Sequence, residues 1–234
     1  MSLTFVVTGA SRGLGLEFVK QLSAKGHTVF ACARSPEKSE KLQELVKSNN
    51  CIHAVPLDTI DANSIKAASG KIAELAPEGV DVLINNSGIA SKREHTALNT
   101  PGSEYIQVFE TNVVGTSNVT QALLPLLRKK QTRRIINISS ILGSCANTTA
   151  SSVAAYRVSK AAENMLTRCF AGTLAEENFI VIAMHPGWVQ TDMGGEKAPV
   201  TPEQSISGMI QVIDSATTKK NGAYLDYQGQ KLEW

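Results

Sequence analysis

Strand-length apolar runs alternate with longer segments of helical period along the sequence, and this alternation restricts the fold more than any other feature. The apolar runs predict strands at residues 3–8, 27–33, 51–58, 79–88, 133–140, 179–187 and 223–227. Between them, the periodicity predicts helices at about 13–24, 35–48, 61–75, 103–129, 152–177 and 201–216, the second opened by a Ser-Pro cap. This order is typical of an α/β protein with a doubly wound parallel sheet of about seven strands and helices on both faces.

Composition agrees with one compact domain. No repeat, low-complexity stretch or Pro/Gly-rich linker divides the 234 residues, and 42% of them are hydrophobic. The formal net charge of +2 is too small to indicate nucleic acid or an anionic membrane as a partner. No apolar run approaches the roughly 18 residues needed to span a bilayer. Because the first residues also lack a charged leader, we expect a cytoplasmic protein.

The cysteines and histidines show no metal-binding pattern. Cys32, Cys51, Cys145 and Cys169 are scattered without a CxxC pair, and most have apolar or small neighbours in the sequence. We therefore interpret them as buried free thiols in a reducing compartment. The histidines lack metal-ligand spacing as well, so no metal is expected.

Three glycines follow the first predicted strand and open the first predicted helix. Gly9, Gly13 and Gly15 lie in "VTGASRGLGLE", with the spacing GxxxGxG. Backbone N–H groups at a helix start, with no Cβ in the way, can bind a pyrophosphate. The alternative is a tight strand-to-helix turn without a ligand.

Two arginines near this turn point to a phosphorylated dinucleotide. Arg12 lies inside the turn, and Arg34 follows the second predicted strand, where no carboxylate occurs before Glu37. An arginine at that strand end accommodates a ribose 2′-phosphate, whereas an acidic residue would bind the free hydroxyl. We therefore expect NADP(H) rather than NAD(H), with two solvated surface arginines as the alternative.

A tyrosine and a lysine share one face of a predicted helix. Tyr156 and Lys160 stand four positions apart in "SVAAYRVSKAAENM". An ammonium nearby favours the phenolate and lowers the tyrosine pKa, which makes the phenol a usable general acid. By itself this spacing is common on ordinary helix surfaces.

Six motifs now occur in a fixed order: "TGASRGLG" (8–15), "NNSG" (85–88), "TNVVGT" (111–116), "NISS" (137–140), "YRVSK" (156–160) and "HPGWVQTDM" (185–193). On these motifs the chain resembles the short-chain dehydrogenase/reductase family over essentially its full length. The last motif and the ending "GAYLDYQGQKLEW" resemble the sniffer-type carbonyl reductases and C-factor-like proteins. The resemblance implies a single NAD(P)-binding Rossmann-fold catalytic domain over residues 1–234.

The resemblance also implies residue roles. Tyr156 would protonate a carbonyl oxygen as hydride arrives, and Ser140 would hydrogen-bond that oxygen. Lys160 would bind the nicotinamide ribose and tune Tyr156, while Asn112 would hold a water that links Lys160 to solvent. The full expected cofactor-binding set is Gly9, Ser11, Arg12, Gly13, Leu14, Gly15, Arg34, Asp58, Asn86, Gly88, Tyr156, Lys160, Pro186, Gly187, Val189 and Thr191.

Within that set, Asn86 and Gly88 would shape the cofactor bed and Asp58 would meet the adenine. The nicotinamide would be seated by Pro186, Gly187, Val189 and Thr191. Each position also has a structural alternative. Asp58 could cap the next helix, Asn112 could cap or kink its own helix, Ser140 could end a strand, and the Pro-Gly pair could form a plain turn.

Two departures from the family pattern concern the substrate pocket. The usual NNAG is "NNSG" here, with Ser87 in place of alanine, a change of little expected cost. The segment 141–155 makes the distance from Ser140 to Tyr156 a few residues longer than usual. Since only a short tail follows Met193, we expect an open and permissive pocket.

The resulting hypothesis is an NADPH-dependent reductase of small carbonyl compounds, without a metal, that forms a homodimer or homotetramer through its two long helices. Two alternatives stay open: an NAD-dependent alcohol dehydrogenase, and a dinucleotide-binding regulatory protein of the C-factor type. A serine hydrolase is excluded because no GxSxG motif occurs.

Overall fold

The structure is a computed structural model that describes residues 2–149 and 152–234. Seven strands form one sheet in the order β3-β2-β1-β4-β5-β6-β7, and every neighbouring pair is parallel. The strands are β1 (Thr4–Thr8), β2 (Thr28–Ala33), β3 (Ile52–Pro56), β4 (Val82–Asn85), β5 (Arg134–Ile138), β6 (Ile180–His185) and β7 (Tyr224–Asp226). The predicted doubly wound α/β sheet of the Rossmann type is confirmed.

Seven α-helices connect these strands: α1 (Gly13–Ala24), α2 (Glu40–Ser48), α3 (Ala62–Leu75), α4 (Gly102–Phe109), α5 (Gly115–Leu127), α6 (Ala154–Thr173) and α7 (Pro202–Asp214). Short 3-10 turns lie at Pro36–Lys38, Ile141–Gly143, Ala175–Glu177 and Thr218–Lys220. Parallel strands are joined by crossover connections, each of which places its helix on one face of the sheet. The crossovers here use both faces, so helices cover both sides.

The two faces have separate apolar cores, since successive strand residues point to opposite sides. Phe5 and Val7 pack with residues of α1, α2 and α7, including the fully buried Phe18 and Leu42. Val6, which lies between them, packs on the other side with residues of α3 and α5. The sheet is therefore covered on both faces, and ligands have access to it only at its edges.

Two helix predictions differ from the structure. The second helix begins at Glu40 instead of residue 35, because the Ser39 hydroxyl accepts from the Leu42 N–H at 3.4 Å and caps it, while Ser35 makes no side-chain cap. The helix predicted at 103–129 is interrupted by a π-helical turn at Glu110–Val114. The inserted turn carries Asn112, which is buried.

The prediction of buried thiols holds for Cys32 and is wrong for Cys145 and Cys169, which are exposed. Cys145 lies in the loop after the turn Ile141–Gly143, and Cys169 occupies the helix face opposite the buried Thr167. Within residues 2–149 and 152–234, no helix is long and apolar enough to cross a membrane. Over the same residues, no cluster of three His, Cys, Asp or Glu side chains could hold a metal.

Candidate active site

The sequence motifs come together at the carboxyl edge of the sheet. The chain leaves β1 and crosses to β2, whereas β4 lies on the other side of β1, so the strand order reverses there. Doubly wound sheets bind ligands in the crevice at such a reversal. The loops after β1, β4, β5 and β6 surround this crevice and carry four of the six motifs, while the other two lie at residues 111–116 and on α6.

The glycine turn after β1 requires glycine on conformational and steric grounds. Gly9 and Gly13 have φ values of +65° and +53°, in the left-handed region that favours glycine. A Cβ on Gly15 would overlap the carbonyl oxygen of Gly9 and approach Asn86 Nδ2 to 2.7 Å. The turn therefore brings the start of α1 close against β4, with the Gly13 side facing Thr191.

Asn86 fastens this turn to the neighbouring strand. Its amide Nδ2 donates to the carbonyl oxygens of Thr8 at 2.9 Å and Gly9 at 3.3 Å. In return, the Thr8 hydroxyl accepts from the backbone N–H groups of Asn86 and Ser87, each at 2.9 Å. The polar side chains thus hold the glycine turn in shape and leave the outer side of α1 free for a ligand.

Tyr156 and Lys160 lie on one face of α6, as their spacing predicts. The Lys160 Nζ atom is 5.7 Å from the centroid of the Tyr156 ring. The first turn of the helix is fixed from the loop after β4, where the Ser91 hydroxyl accepts from the Tyr156 N–H at 2.9 Å. The phenol and the ammonium are therefore close enough for the charge of Lys160 to act on Tyr156.

The Lys160 ammonium is almost completely buried and has two close acceptors. Nζ donates to the carbonyl oxygen of Ile138 at 2.8 Å and to Glu163 Oε2 at 2.6 Å. Burial works against the charged form, but the negative charge of Glu163 and the interaction with Tyr156 outweigh it and raise the pKa of Lys160. The lysine is thus cationic at neutral pH.

Asn112 is buried in the π-helical turn and makes three side-chain hydrogen bonds. Its Oδ1 accepts from the Ile89 N–H at 2.8 Å, and its Nδ2 donates to the Ile89 carbonyl and the Ser159 hydroxyl, both at 3.0 Å. A Cβ at Gly88 would lie 3.3 Å from Asn112 Oδ1 and 3.7 Å from Lys160 Nζ. Asn112 therefore joins the loop after β4 to the helix of the Tyr-Lys pair.

Ser140 begins the 3-10 turn after β5 and is 8% exposed. Its hydroxyl oxygen accepts from the Leu142 N–H at 3.2 Å, and its hydroxyl proton can still be donated. The turn packs tightly on α6, since a Cβ at Gly143 would lie 2.8 Å from the Cβ of Lys160. Ser139, by contrast, points inward and donates to Asn164 Oδ1 at 2.6 Å.

The loop after β6 closes the other side of the crevice. Gly187 has a φ of +87°, and the Ser205 hydroxyl fixes the preceding carbonyl of Pro186 at 2.6 Å. Val189 is buried and forms a bridge with Val200, and the Thr191 hydroxyl accepts from the Gly194 N–H at 3.1 Å. The loop is thus ordered by its own contacts and faces the glycine turn.

The two arginines of the predicted phosphate site are both exposed. Arg12 precedes α1, and its Nε lies 3.8 Å from the exposed Asp192 carboxylate across the crevice. Arg34 follows β2, whose Cys32 carbonyl accepts from the Ala10 N–H within the glycine turn at 3.0 Å. Asp58 lies at the same edge after β3 and accepts from the Ile60 N–H, while Asp61 caps α3. The alternative role of Asp58 as that cap is therefore wrong.

These features fit a dinucleotide. The pyrophosphate would lie against the start of α1, where Ser11, Arg12, Gly13 and Leu14 present backbone atoms without obstruction from Gly9 or Gly15. The exposed pair of Arg12 and Asp192 is held weakly, because solvent screens it, and can open for a ligand. The fit thus rests on the shape of the turn, which any larger residue at Gly15 would change, since a Cβ there would overlap the Gly9 carbonyl oxygen.

Three side chains around the crevice escaped the sequence analysis. Glu163 contacts Lys160, and its spacing of three residues on a helix is a signal that could have found it. Arg93 donates to the carbonyl of Met193 at 3.2 Å, and Trp188 Nε1 donates to that of Gly194 at 2.8 Å. The Arg93 contact joins the loops after β4 and β6, and the Trp188 contact lies within the loop after β6. No local pattern predicts either of them.

A glycine turn, a Tyr-Lys pair and an adjacent serine at the carboxyl edge of a doubly wound sheet define the class of Rossmann-type oxidoreductases. The family model described as short chain dehydrogenase matches residues 4–201, so the chain belongs to that family.

Relatives and solved structures agree with this assignment. The carbonyl reductase Sniffer of D. melanogaster superposes with a TM-score of 0.95 at 32% identity, with 100% of both chains covered. The NADPH-bound carbonyl reductase from chicken fatty liver gives a TM-score of 0.92 at 38% identity, covering 100% of this chain and 99% of the other. The C-signal of Myxococcus xanthus is 41% identical over 66% of this chain and 93% of its own length.

Proposed function

We propose that this protein reduces the carbonyl groups of aldehydes and ketones with NADPH and uses Tyr156 as the general acid. The observation that carries the proposal is the Tyr156 ring, 5.7 Å from the buried Lys160 ammonium, on a helix packed against the turn that carries Ser140. A phenol beside a permanent cation can release its proton near neutral pH. A protein that only binds a dinucleotide has no need of such a donor.

The roles follow from what each side chain can do. When bound, NADPH would supply the hydride. Ser140 donates a hydrogen bond to the carbonyl oxygen and stabilises the developing negative charge, and Tyr156 transfers its proton to that oxygen. Lys160 binds the nicotinamide ribose and lowers the energy of the phenolate left behind. Asn112 keeps the loop after β4 in place beside Lys160. We also assign to Asn112 a bound water that links Lys160 to solvent and through which the proton returns to Tyr156.

The phosphorylated cofactor is supported by the charges at the adenine end. Arg34 at the end of β2 and Arg12 in the glycine turn are exposed cations, and guanidinium groups form charge-assisted bonds with a phosphate dianion. Asp58 would contact the adenine and Asn86 and Gly88 the cofactor bed. Pro186, Gly187, Val189 and Thr191 would seat the nicotinamide. The chicken reductase that superposes on this chain was crystallised with NADPH.

The first test measures NADPH consumption with a panel of aldehydes, ketones, quinones and vicinal diketones. We expect turnover by the wild type and a loss of at least about 100-fold in Tyr156→Phe, since general acid catalysis contributes that much or more. Tyr105→Phe, which removes the phenol of a partly buried residue in the groove between α4 and α6, is the matched control and should keep full activity. Equal activity of Tyr156→Phe and wild type would refute the assigned acid.

A regulatory function of the C-factor type is the second candidate, and the likeness to the C-signal of Myxococcus xanthus favours it. The same panel separates the two. Tight NADPH binding without turnover of any substrate would favour regulation. Substrate-dependent turnover that needs Tyr156 would favour the reductase.

We also propose that the whole chain acts as one catalytic domain that forms a homodimer or homotetramer. Strands from residue 4 to residue 226 belong to a single sheet. Exposed apolar side chains of Ile106, Phe109, Val114 and Val158 surround a groove of about 430 Å³ between α4 and α6. Ile106→Glu should shift the mass measured by light scattering toward the monomer, whereas an unchanged mass would place the interface elsewhere.

A cytoplasmic location completes the proposal. Free thiols support it, because exposed cysteines such as Cys145 and Cys169 persist in reducing compartments. Fractionation of cells that express the tagged protein should place it in the cytosol, and recovery with membranes or organelles would contradict this.

A further inference from the structure

Glu163 is a buried carboxylate that the proposed mechanism leaves without a role. It lies on α6, three residues after Lys160, and only 1% of its side chain is exposed. Its Oε2 atom is 2.6 Å from Lys160 Nζ. A buried ion pair is weak evidence for stability, since apolar residues of similar volume often serve as well. Because stability alone does not explain the Glu163 carboxylate beside Lys160, we expect it to have a chemical role in the site.

The contacts of Lys160 define where its charge acts. Nζ has three hydrogens, of which one goes to Glu163 and one to the carbonyl of Ile138. Both acceptors lie on the core side of the helix. One hydrogen remains for the side of Tyr156, so the ammonium is shared between the core and the crevice.

Among residues 2–149 and 152–234, few titratable groups surround Glu163. Lys160 and Tyr156 belong to α6, and Tyr224 reaches the pair from β7. Burial raises the pKa of Glu163, and Lys160 acts in the opposite direction. Burial also raises the pKa of Tyr224, which stays a neutral phenol. Tyr156 is only partly buried, whereas Lys160, Glu163 and Tyr224 are buried.

We propose that Glu163 is a positioning residue of the reductase site: it holds the Lys160 ammonium toward the core and balances its charge, so that Tyr156 is kept in the protonated form that reduction needs. Provided that Lys160 keeps its proton without the carboxylate, its full positive charge acts on the phenol and favours phenolate, the form that accepts a proton in alcohol oxidation. Glu163 thereby biases the site toward carbonyl reduction. The bias toward carbonyl reduction rests on the proposed function, whereas the effect of Glu163 on Tyr156 rests only on the ion pair with Lys160.

The test is an ultraviolet titration of Tyr156 in the protein without substrate. The Tyr156 signal is obtained as the difference between each protein and the same protein carrying Tyr156→Phe, which subtracts the other tyrosines. In Glu163→Gln, which keeps the shape and removes the charge, we expect the midpoint to fall by about one pH unit or more, the size that a nearby charge produces. Glu163→Leu should move it in the same direction, and Glu163→Asp should restore it.

The matched control is Glu17→Gln. Glu17 is a largely buried carboxylate that pairs with Lys20 at the same spacing, 3.3 Å apart on α1 and away from the Tyr-Lys pair. It should leave the Tyr156 midpoint unchanged. An unchanged or raised midpoint in a folded Glu163→Gln or Glu163→Leu protein would overturn the proposal, and an unchanged one would leave Glu163 a purely structural partner.

Turnover gives an independent readout. With NADPH and an active carbonyl substrate, the high-pH limb of kcat/KM should move to lower pH in Glu163→Gln by the same amount as the titration. If the wild type proves inactive on every substrate, the proposed function fails, but the titration still decides the effect of Glu163 on Tyr156. The two proposals can therefore fail separately.

Discussion

The hydroxyl of Tyr224 donates a hydrogen bond of 2.5 Å to the backbone carbonyl of Ser140. Tyr224 is completely buried in β7, and burial raises its pKa, so the phenol remains a donor. On its other side the ring stacks on Trp234 at 5.0 Å, and the Trp234 carbonyl accepts from the Ala146 N–H at 3.0 Å. Tyr224 therefore anchors Ser140 directly, and the Trp234 stacked on it anchors the loop at Ala146.

Tyr224→Phe tests this support. The substitution keeps the ring and its stacking but leaves a buried carbonyl without its donor, which costs about 1–3 kcal/mol of unfolding free energy. Because Ser140 loses its anchor, we also expect kcat to fall about five-fold, equivalent to ~1 kcal/mol, with unchanged NADPH affinity. Urea unfolding and steady-state kinetics measure the two effects. Tyr105→Phe should change neither, and wild-type kcat in Tyr224→Phe would show that Ser140 needs no such support.

Gly15→Ala is expected to abolish tight dinucleotide binding. The new methyl group would overlap the Gly9 carbonyl and crowd Asn86 Nδ2, so the turn would have to open. We expect a fall in NADPH affinity of at least about ten-fold, which corresponds to 1.4 kcal/mol or more, and a lower Tm. Fluorescence titration with NADPH measures the affinity. Gly70→Ala is the control, since nothing lies within 4 Å of its Cβ position in α3.

Arg34→Ala should change cofactor preference rather than activity in general. A charge-assisted hydrogen bond contributes about 1.5–3 kcal/mol, so kcat/KM for NADPH should fall by about ten-fold or more. The value for NADH should stay the same, because NADH has no 2′-phosphate. Lys219→Ala, which removes an exposed cation far along the chain, should alter neither value. Equal losses of kcat/KM with NADPH and NADH would mean that Arg34 does not bind the 2′-phosphate.

Much of this architecture was predictable because it depends on local periodicity. The strand-length runs and helical spacings identified all seven strands, with ends within a few residues, and the spacing of Tyr156 and Lys160 placed both on one helix face. The cap of α2 was misassigned because Ser35-Pro36 and Ser39 are both plausible starts in sequence. Only the Leu42 N–H, which bonds to Ser39, decides between them.

The contacts that support the site could not be predicted in the same way. Tyr224 and Ser140 are separated by 84 positions, and the loop contact of Arg93 with Met193 by 100. Glu163 resembles a solvent-facing helix residue in the sequence, and only the folded chain buries it. Burial and long-range pairing depend on the whole fold, and a local pattern carries no information about them.

His185, at the end of β6, is a candidate source of pH-dependent stability. Burial lowers its pKa to about 4, although the Asp226 carboxylate acts in the opposite direction. In the described part of the chain its Nδ1 has no hydrogen-bond partner. The folded protein therefore binds fewer protons than the unfolded chain between the two pKa values of this histidine.

The sign of the effect follows from linkage. Because the folded pKa lies below the unfolded value, stability from neutral His185 is complete above the unfolded pKa of about 6.5 and is lost as the pH falls toward 4. The loss should amount to at most about 3.5 kcal/mol, since the two pKa values differ by about 2.5 units and one unit corresponds to about 1.4 kcal/mol. Urea unfolding of wild type and His185→Asn at neutral pH and near pH 5 measures it. The wild type should lose more stability on acidification than the variant, because asparagine does not titrate; His27, whose pKa is also lowered by burial, contributes equally to both proteins. Parallel losses would show that His185 takes up its proton in the folded state as easily as in the unfolded one.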